Sequence, residues 1–318
     1  MKKTKTNIRP VENSRMRGST SSSNVSFYIP RKGQTVIYPT SSHRWSDPHT
    51  AIKHITKNMA PSEKPFTASS KIYTLGSCFA NNLAKALAAK GVQTQSATTP
   101  SNLQNVFSIE QFFRWAIKKE TPGNYWHEPD GSHFNTANEQ DTFFEDIQGC
   151  DGFIITLGLS EIWKNVAKNE ILWRGVPKEL YTTNQEDFGF EVATTEQTTE
   201  SIHEIVRLIR SVKPEATIVF TLSPVPLGAT FRGISSVVAD TASKAILRAA
   251  LCSFILNSDD KKVHYWPSFE IVKESAVHGA VRTSFGTEDG HHRHVSTKLV
   301  DKIIAAFCEQ YFTFENND

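Results

Sequence analysis

The chain alternates between short continuous apolar runs and longer stretches whose apolar residues recur with a helical period. KIYTLG (71–76) is apolar, partly β-branched and closed by glycine, which predicts a buried strand. FANNLAKALAAK (79–90) follows at once and predicts a helix carrying Leu83 and Leu87, with Gly91 just past its end. VQTQS (92–96) reads as a second strand. SIEQFFRWAIKK (108–119) reads as a helix capped by Ser108, with Phe112, Trp115 and Ala116 on one face. GFIITLG (152–158), ATIVFTLSPVP (216–226) and VHYWPS (263–268) read as further strands. Between them, TTESIHEIVRLIRSVKP (198–214) places Ile202, Ile205, Val206 and Ile209 in a stripe that ends at Pro214. Residues 235–257 predict a long helix marked by Val238, Ala242, Ala245, Ile246, Ala249 and Phe254. STKLVDKIIAAFCEQYF (296–312) predicts a last helix with Leu299, Val300, Ile303, Ala306 and Phe307 facing inward. Strands alternating with helices predict an α/β fold, a parallel sheet covered on both faces. In such sheets the chemistry sits beyond the carboxyl ends of the strands.

The first residues break this pattern. Residues 1–24 have no apolar period and carry Lys2, Lys3, Lys5, Arg9, Arg15 and Arg17 against Glu12, so they read as a disordered basic tail. Residues 25–66 hold scattered aromatics and prolines (Phe27, Tyr28, Pro30, Trp45, Pro48) and read as an extended arm before the α/β domain over 67–318. The formal net charge of the whole chain is only +2, which gives no reason to expect a nucleic-acid or membrane partner. No apolar run follows the charged start, so a secretory signal is not expected, and no window is apolar enough for a membrane span. Of the four cysteines, Cys252 and Cys308 fall in apolar helical stretches, the pattern of reduced buried thiols in a cytoplasmic protein.

Chemistry-bearing residues follow the strands. Gly76-Ser77-Cys78-Phe79-Ala80 sits at a strand-to-helix turn. Free N–H groups and the positive dipole end at a helix start favour a developing anion. Ser77 there is either a helix cap or a nucleophile whose own N–H joins an oxyanion hole, with Cys78 as the rival nucleophile. Before the last helix lies Glu288-Asp289-Gly290-His291-His292-Arg293-His294-Val295-Ser296. This block reads as an acid–base pair serving Ser77, as a polar loop without a task, or as part of a metal site. The metal reading lacks a well-spaced fourth ligand, so no metal and no cofactor are expected. Thr156-Leu157-Gly158-Leu159-Ser160-Glu161-Ile162-Trp163 follows a central strand, placing Gly158, Ser160 and Glu161 where a substrate could meet them. Ser223-Pro224-Val225-Pro226 and Tyr265-Trp266-Pro267-Ser268-Phe269-Glu270 occupy two further strand ends.

Together these stretches resemble the GSCFA family, a branch of the SGNH (GDSL-like) hydrolases, over roughly residues 40–312. The pentapeptide 76–80 carries the resemblance letter for letter. TLGLSEIW, SPVP, YWPSFE and the histidine block support it by their order. The resemblance implies a three-layer flavodoxin-like fold and serine-dependent ester chemistry. Ser77 would be the nucleophile, and the terminal block would supply the base and its acid. The Asp-x-x-His spacing from Asp289 points to His292, whereas the position just before the helix start points to His294, the residue we take as the base. Related enzymes place an oxyanion-hole Asn in the third block. Here Gly158-Leu159-Ser160-Glu161 has none, and Asn102 is the replacement donor. The implied activity is hydrolysis of an O-acyl ester of a small molecule or carbohydrate. An O-acyltransferase of polysaccharide biosynthesis would use the same acyl-enzyme, and a glycan-binding module would use the fold without catalysis.

Overall fold

Successive side chains of the central strands enter two different cores. The computed structural model describes residues 38, 45, 47–97, 103–120, 137–173, 175–176, 178–278, 284–286 and 290–314. The basic tail over 1–24 lies outside them. In chain order the described elements begin with α1 (Pro48–Ile55), β1 (Phe66–Thr67), β2 (Lys71–Gly76), α2 (Cys78–Ala88), β3 (Gln93–Ser96) and α3 (Val106–Lys118). Then come α4 (Ala137–Gly149), β4 (Gly152–Leu157), β5 (Glu161–Asn165), β6 (Glu170–Ile171), α5 (Lys178–Thr183), β7 (Phe188–Val192) and α6 (Thr195–Val212). The remainder is β8 (Thr217–Leu222), α7 (Ser236–Asn257), β9 (Val263–Trp266), α8 (Ser268–Val277), α9 (Thr297–Tyr311) and β10 (Phe312–Thr313).

The main sheet has the order β3-β2-β4-β8-β9, with every neighbouring pair parallel. Counted within the sheet this is 2-1-3-4-5, the flavodoxin-like doubly wound order. Tyr73, Leu75, Phe153, Ile155, Ile218 and Phe220 face one core, which is completed by residues of α3, α4, α6 and α7. Their neighbours Ile72, Ile154 and Val219 face the other, closed by α2, α8 and α9. The period-2 alternation is what turns one sheet into three layers. As in other open sheets of this order, a crevice forms where the chain reverses direction across the sheet, here between the carboxyl ends of β2 and β4.

Several expectations need correction. Part of the segment read as an extended arm is helical, because Asp47 Oδ1 accepts from His49 N and Thr50 N while Pro48 fits the first helical turn of α1. Helix α3 starts two residues earlier than read. Its cap is Asn105, whose Oδ1 accepts from Ser108 N at 2.8 Å, so Ser108 is inside the helix. Helix α7 is apolar around much of its girth, so the pattern does not select a face. The buried positions are Ala239, Asp240, Ser243, Lys244, Leu247, Ala250, Leu251 and Phe254, so of the residues read from the sequence Phe254 is buried while Val238, Ala245 and Ala249 are exposed. Cys252 on the same helix is exposed, unlike buried Cys308. An antiparallel sheet, β6-β5-β7, also departs from the simple βα alternation and sets Trp163 opposite Phe190. Among the described residues no helix is long and apolar enough to cross a membrane.

Candidate active site

Gly76 ends β2 with φ +119°, a conformation in the left-handed half of the map that glycine adopts without a side-chain clash. A Cβ there would lie 2.1 Å from the Thr156 carbonyl oxygen. That oxygen belongs to β4, whose Thr156 pairs with Gly76, so it has nowhere to go without breaking the sheet. Gly76→Ala is therefore expected to cost about 3 kcal/mol or more, read as a lower melting temperature or as insoluble protein.

The turn that glycine permits delivers Ser77 to the N-cap of α2, with the hydroxyl accepting from Phe79 N at 3.3 Å. The residue is 4% exposed. Both sequence readings of Ser77 thus meet in one place, because the same hydroxyl caps the helix and borders a cavity of about 110 Å³. The cavity is walled by the ends of β4 and β8 and the loops that follow, with Gly158, Ser223, Val225 and Gly228 among its lining residues. One expectation is overturned here. Ser77 N–H donates to Thr156 O at 3.2 Å, and so is already engaged rather than free for an oxyanion.

The other candidates are scattered. Gly158 lines the Ser77 cavity, its N–H donating to Gln104 O at 2.8 Å. Ser160 is buried and turned away from it, its N–H donating to Ser243 Oγ at 2.7 Å. Glu161 lines a second cavity of about 220 Å³, which shares Gln104, Leu159, Leu227 and Ala229 with the first. Asn102 and Asp289 lie outside the described residues, as does the Cys78 side chain. In the histidine block, His291 and His292 are exposed and His294 is half-buried. The rings of His291 and His294 meet at a tilt of 37°, with centroids 4.8 Å apart. Gly286 N donates to His294 O, and Val295 bridges Phe285, so the segment is pinned on both sides of the histidine.

Two residues that the sequence reading passed over matter more than expected. Arg293, between the histidines, is the block's residue that lines the Ser77 cavity, and its Nη1 donates to Pro226 O at 3.0 Å. Asn105 is buried, lines the second cavity, and keeps its amide NH₂ after spending Oδ1 on the α3 cap. The Asn105–Ser108 spacing is a cap signal that the sequence could have offered.

Beneath both cavities runs a buried polar row on α7. Asp240 Oδ1 accepts from Leu227 N at 3.0 Å, Ser243 holds Ser160, and Lys244 Nζ donates to Gly158 O. The Lys244 ammonium also lies 3.8 Å from Asp240. Burial, opposed by the Asp240 charge and reinforced by Lys273, pulls the Lys244 amine down to about 8. Three residues at i, i+3 and i+4 thereby tie down the two loops that form the cavity walls.

A doubly wound α/β sheet with a serine at the switch point between its first and third strands defines the class of protein. The sequence matches the GSCFA family over residues 71–307, and the chain belongs to that family. No curated protein matches it. Among solved structures, a protein of Parabacteroides merdae designated a GDSL-like lipase is 11% identical, with 77% of this chain and 96% of that one covered and a TM-score of 0.41. A salicylyl-acyltransferase from a tetracycline biosynthetic pathway is 13% identical over 78% of this chain and 54% of its own, with a TM-score of 0.37. An acetyl xylan esterase of the rumen bacterium Butyrivibrio proteoclasticus is 14% identical over 77% and 63%, with a TM-score of 0.34.

Proposed function

We propose that this protein is a serine-dependent esterase that cleaves a short O-acyl group from a small molecule or carbohydrate. The observation that carries the reading is Ser77, held at a helix start on the crevice of the sheet and bordering a small cavity. In the proposed reaction Ser77 Oγ attacks the acyl carbonyl carbon and its proton passes to an imidazole. The C–O bond to the alcohol then breaks, and the alcohol leaves with that proton. Water, deprotonated by the same imidazole, adds to the acyl-enzyme; the acyl–Oγ bond breaks, the imidazolium returns the proton to Ser77 Oγ, and the acid leaves. A cavity of only about 110 Å³ favours a small acyl group.

We assign the base to His294, the half-buried histidine of the block, whose backbone is fixed from both sides. In action its ring has to leave its contact with His291 and come within about 2.6–3.2 Å of Ser77 Oγ. His294→Ala is expected to lower kcat by about 10²-fold or more, and His292→Ala by far less. The opposite ranking would move the assignment to His292, three residues after Asp289.

The adjoining cavity also supports the acyltransferase reading, because an acceptor seated there would meet the acyl-enzyme in place of water. Labelling by a fluorophosphonate tests for an activated serine. A panel of acyl esters, run with and without sugar acceptors, separates hydrolysis from transfer. Absence of both labelling and turnover would leave the glycan-binding module. We place the protein in the cytoplasm, a reading supported by the free, buried thiols of Cys150 and Cys308.

A further inference from the structure

The three-stranded sheet and the loop after β8 build an aromatic wall that the serine chemistry alone does not require. Trp163 of β5 and Phe190 of β7 pack edge to face with centroids 5.4 Å apart. Phe231 closes the cluster at 4.9 Å from Trp163 and 5.4 Å from Phe190. It is nevertheless 64% exposed, a cost in water that a bound partner would remove. All three rings line the cavity of about 220 Å³ that adjoins the Ser77 cavity.

Within that apolar wall sits a carboxylate. Glu161 is 7% exposed, and its Oε1 accepts from Thr230 Oγ1 at 2.9 Å with Arg232 Nη1 4.0 Å away. Among the described residues no group donates to Oε2. Asn105 contributes an amide NH₂ to the same cavity.

We propose that this cavity is a subsite for a neutral sugar ring, the alcohol half of the ester. The proposal rests on the esterase reading and deepens it. Three classes of occupant can be weighed. A hydrocarbon chain would strip water from the Glu161 carboxylate and return no hydrogen bond, which is unfavourable. A quaternary ammonium would suit the rings and the carboxylate. Yet Arg232 beside Glu161 and Arg293 in the adjoining cavity place two positive charges against it. A sugar meets every feature. Its hydroxyls donate to Glu161 Oε2 and accept from Asn105, while its C–H faces lie on the aromatic rings. The cavity, of about 220 Å³, leaves room for one monosaccharide ring. Because the two cavities share four lining residues, a ring seated here would present an O-acyl group toward Ser77.

The test separates binding from catalysis. Full-length protein carrying Ser77→Ala is titrated with methyl β-glucopyranoside, methyl β-xylopyranoside, choline and octanoate, followed by tryptophan fluorescence and saturation-transfer NMR. At least one glycoside is expected to bind in the millimolar range, with Kd raised about ten-fold or more when Phe231→Ala or Glu161→Gln is added. Phe231 is exposed, so its replacement leaves the core packing untouched. The proposal is overturned if neither glycoside binds, if choline or octanoate binds instead, or if Phe231→Ala leaves the glycoside Kd unchanged. Fluorophosphonate labelling of the unmodified chain judges the esterase reading separately. Labelling without sugar binding removes only the subsite, and sugar binding without labelling removes only the esterase.

Discussion

Ser77→Ala is expected to lower ester turnover by roughly three orders of magnitude or more and to abolish fluorophosphonate labelling. The same hydroxyl caps α2 through Phe79 N, so the substitution also costs stability, about 1 kcal/mol. Ser77→Gly separates the two roles. Glycine at a cap costs only a few tenths of a kcal/mol, so that variant should melt close to the parent and be equally inactive. Retained turnover in Ser77→Ala, together with loss in Cys78→Ala, would transfer the nucleophile to the cysteine.

Lys244→Met is expected to be the most destabilising of the buried substitutions under the site. Lys244 is 2% exposed and compensates the Asp240 carboxylate, which is itself buried. Removing one member of a buried pair leaves the other uncompensated, at about 3–5 kcal/mol. Asp240→Asn in the Lys244→Met background should recover part of that loss, a recovery that denaturant unfolding measures. Turnover should fall too, because Lys244 holds Gly158 O and Asp240 holds Leu227 N, and both residues line the Ser77 cavity.

The pH dependence of stability has a definite sign. The amine ionises near 8 in the folded chain against the usual 10.5, so between those values the unfolded chain holds more protons. Stability attributable to Lys244 therefore rises with pH across that window, by roughly 3 kcal/mol, and is lowest below 8. Difference curves between the parent and Lys244→Met should contain this rise. A flat difference between pH 8 and 10.5 would show that Lys244 is not held in a low-dielectric site.

Element positions in the main sheet were legible because their signals are local. A buried parallel strand is a short apolar run, and KIYTLG, GFIITL and TIVFTL are unmistakable as such. The Gly76-Ser77 turn was equally legible, since a glycine that closes a strand and a serine that opens a helix are both set by backbone geometry. The stripe of α6 told its buried face, because polar residues fill the opposite side. Nothing comparable marked α7, where the buried face holds Asp240, Ser243 and Lys244 and apolar residues such as Val238 lie outside.

What the sequence by itself determined was the order of the main-sheet strands along the chain with several of the helices between them, the serine turn and the family. Only the tertiary structure decided which side chains share a cavity. It turned Arg293 toward Ser77 from a block read for its histidines, took Ser160 out of the site by bonding it to Ser243, and engaged the Ser77 amide with Thr156. It also brought Trp163, Phe190 and Phe231 together from three separate segments. The physical reason is sequence distance. Caps, turns and apolar periods are fixed by neighbours within about four residues, whereas a cavity wall is assembled from loops tens of residues apart. The partners that hold those loops, Asp240 and Lys244 among them, become buried and paired only after the sheet has closed over them.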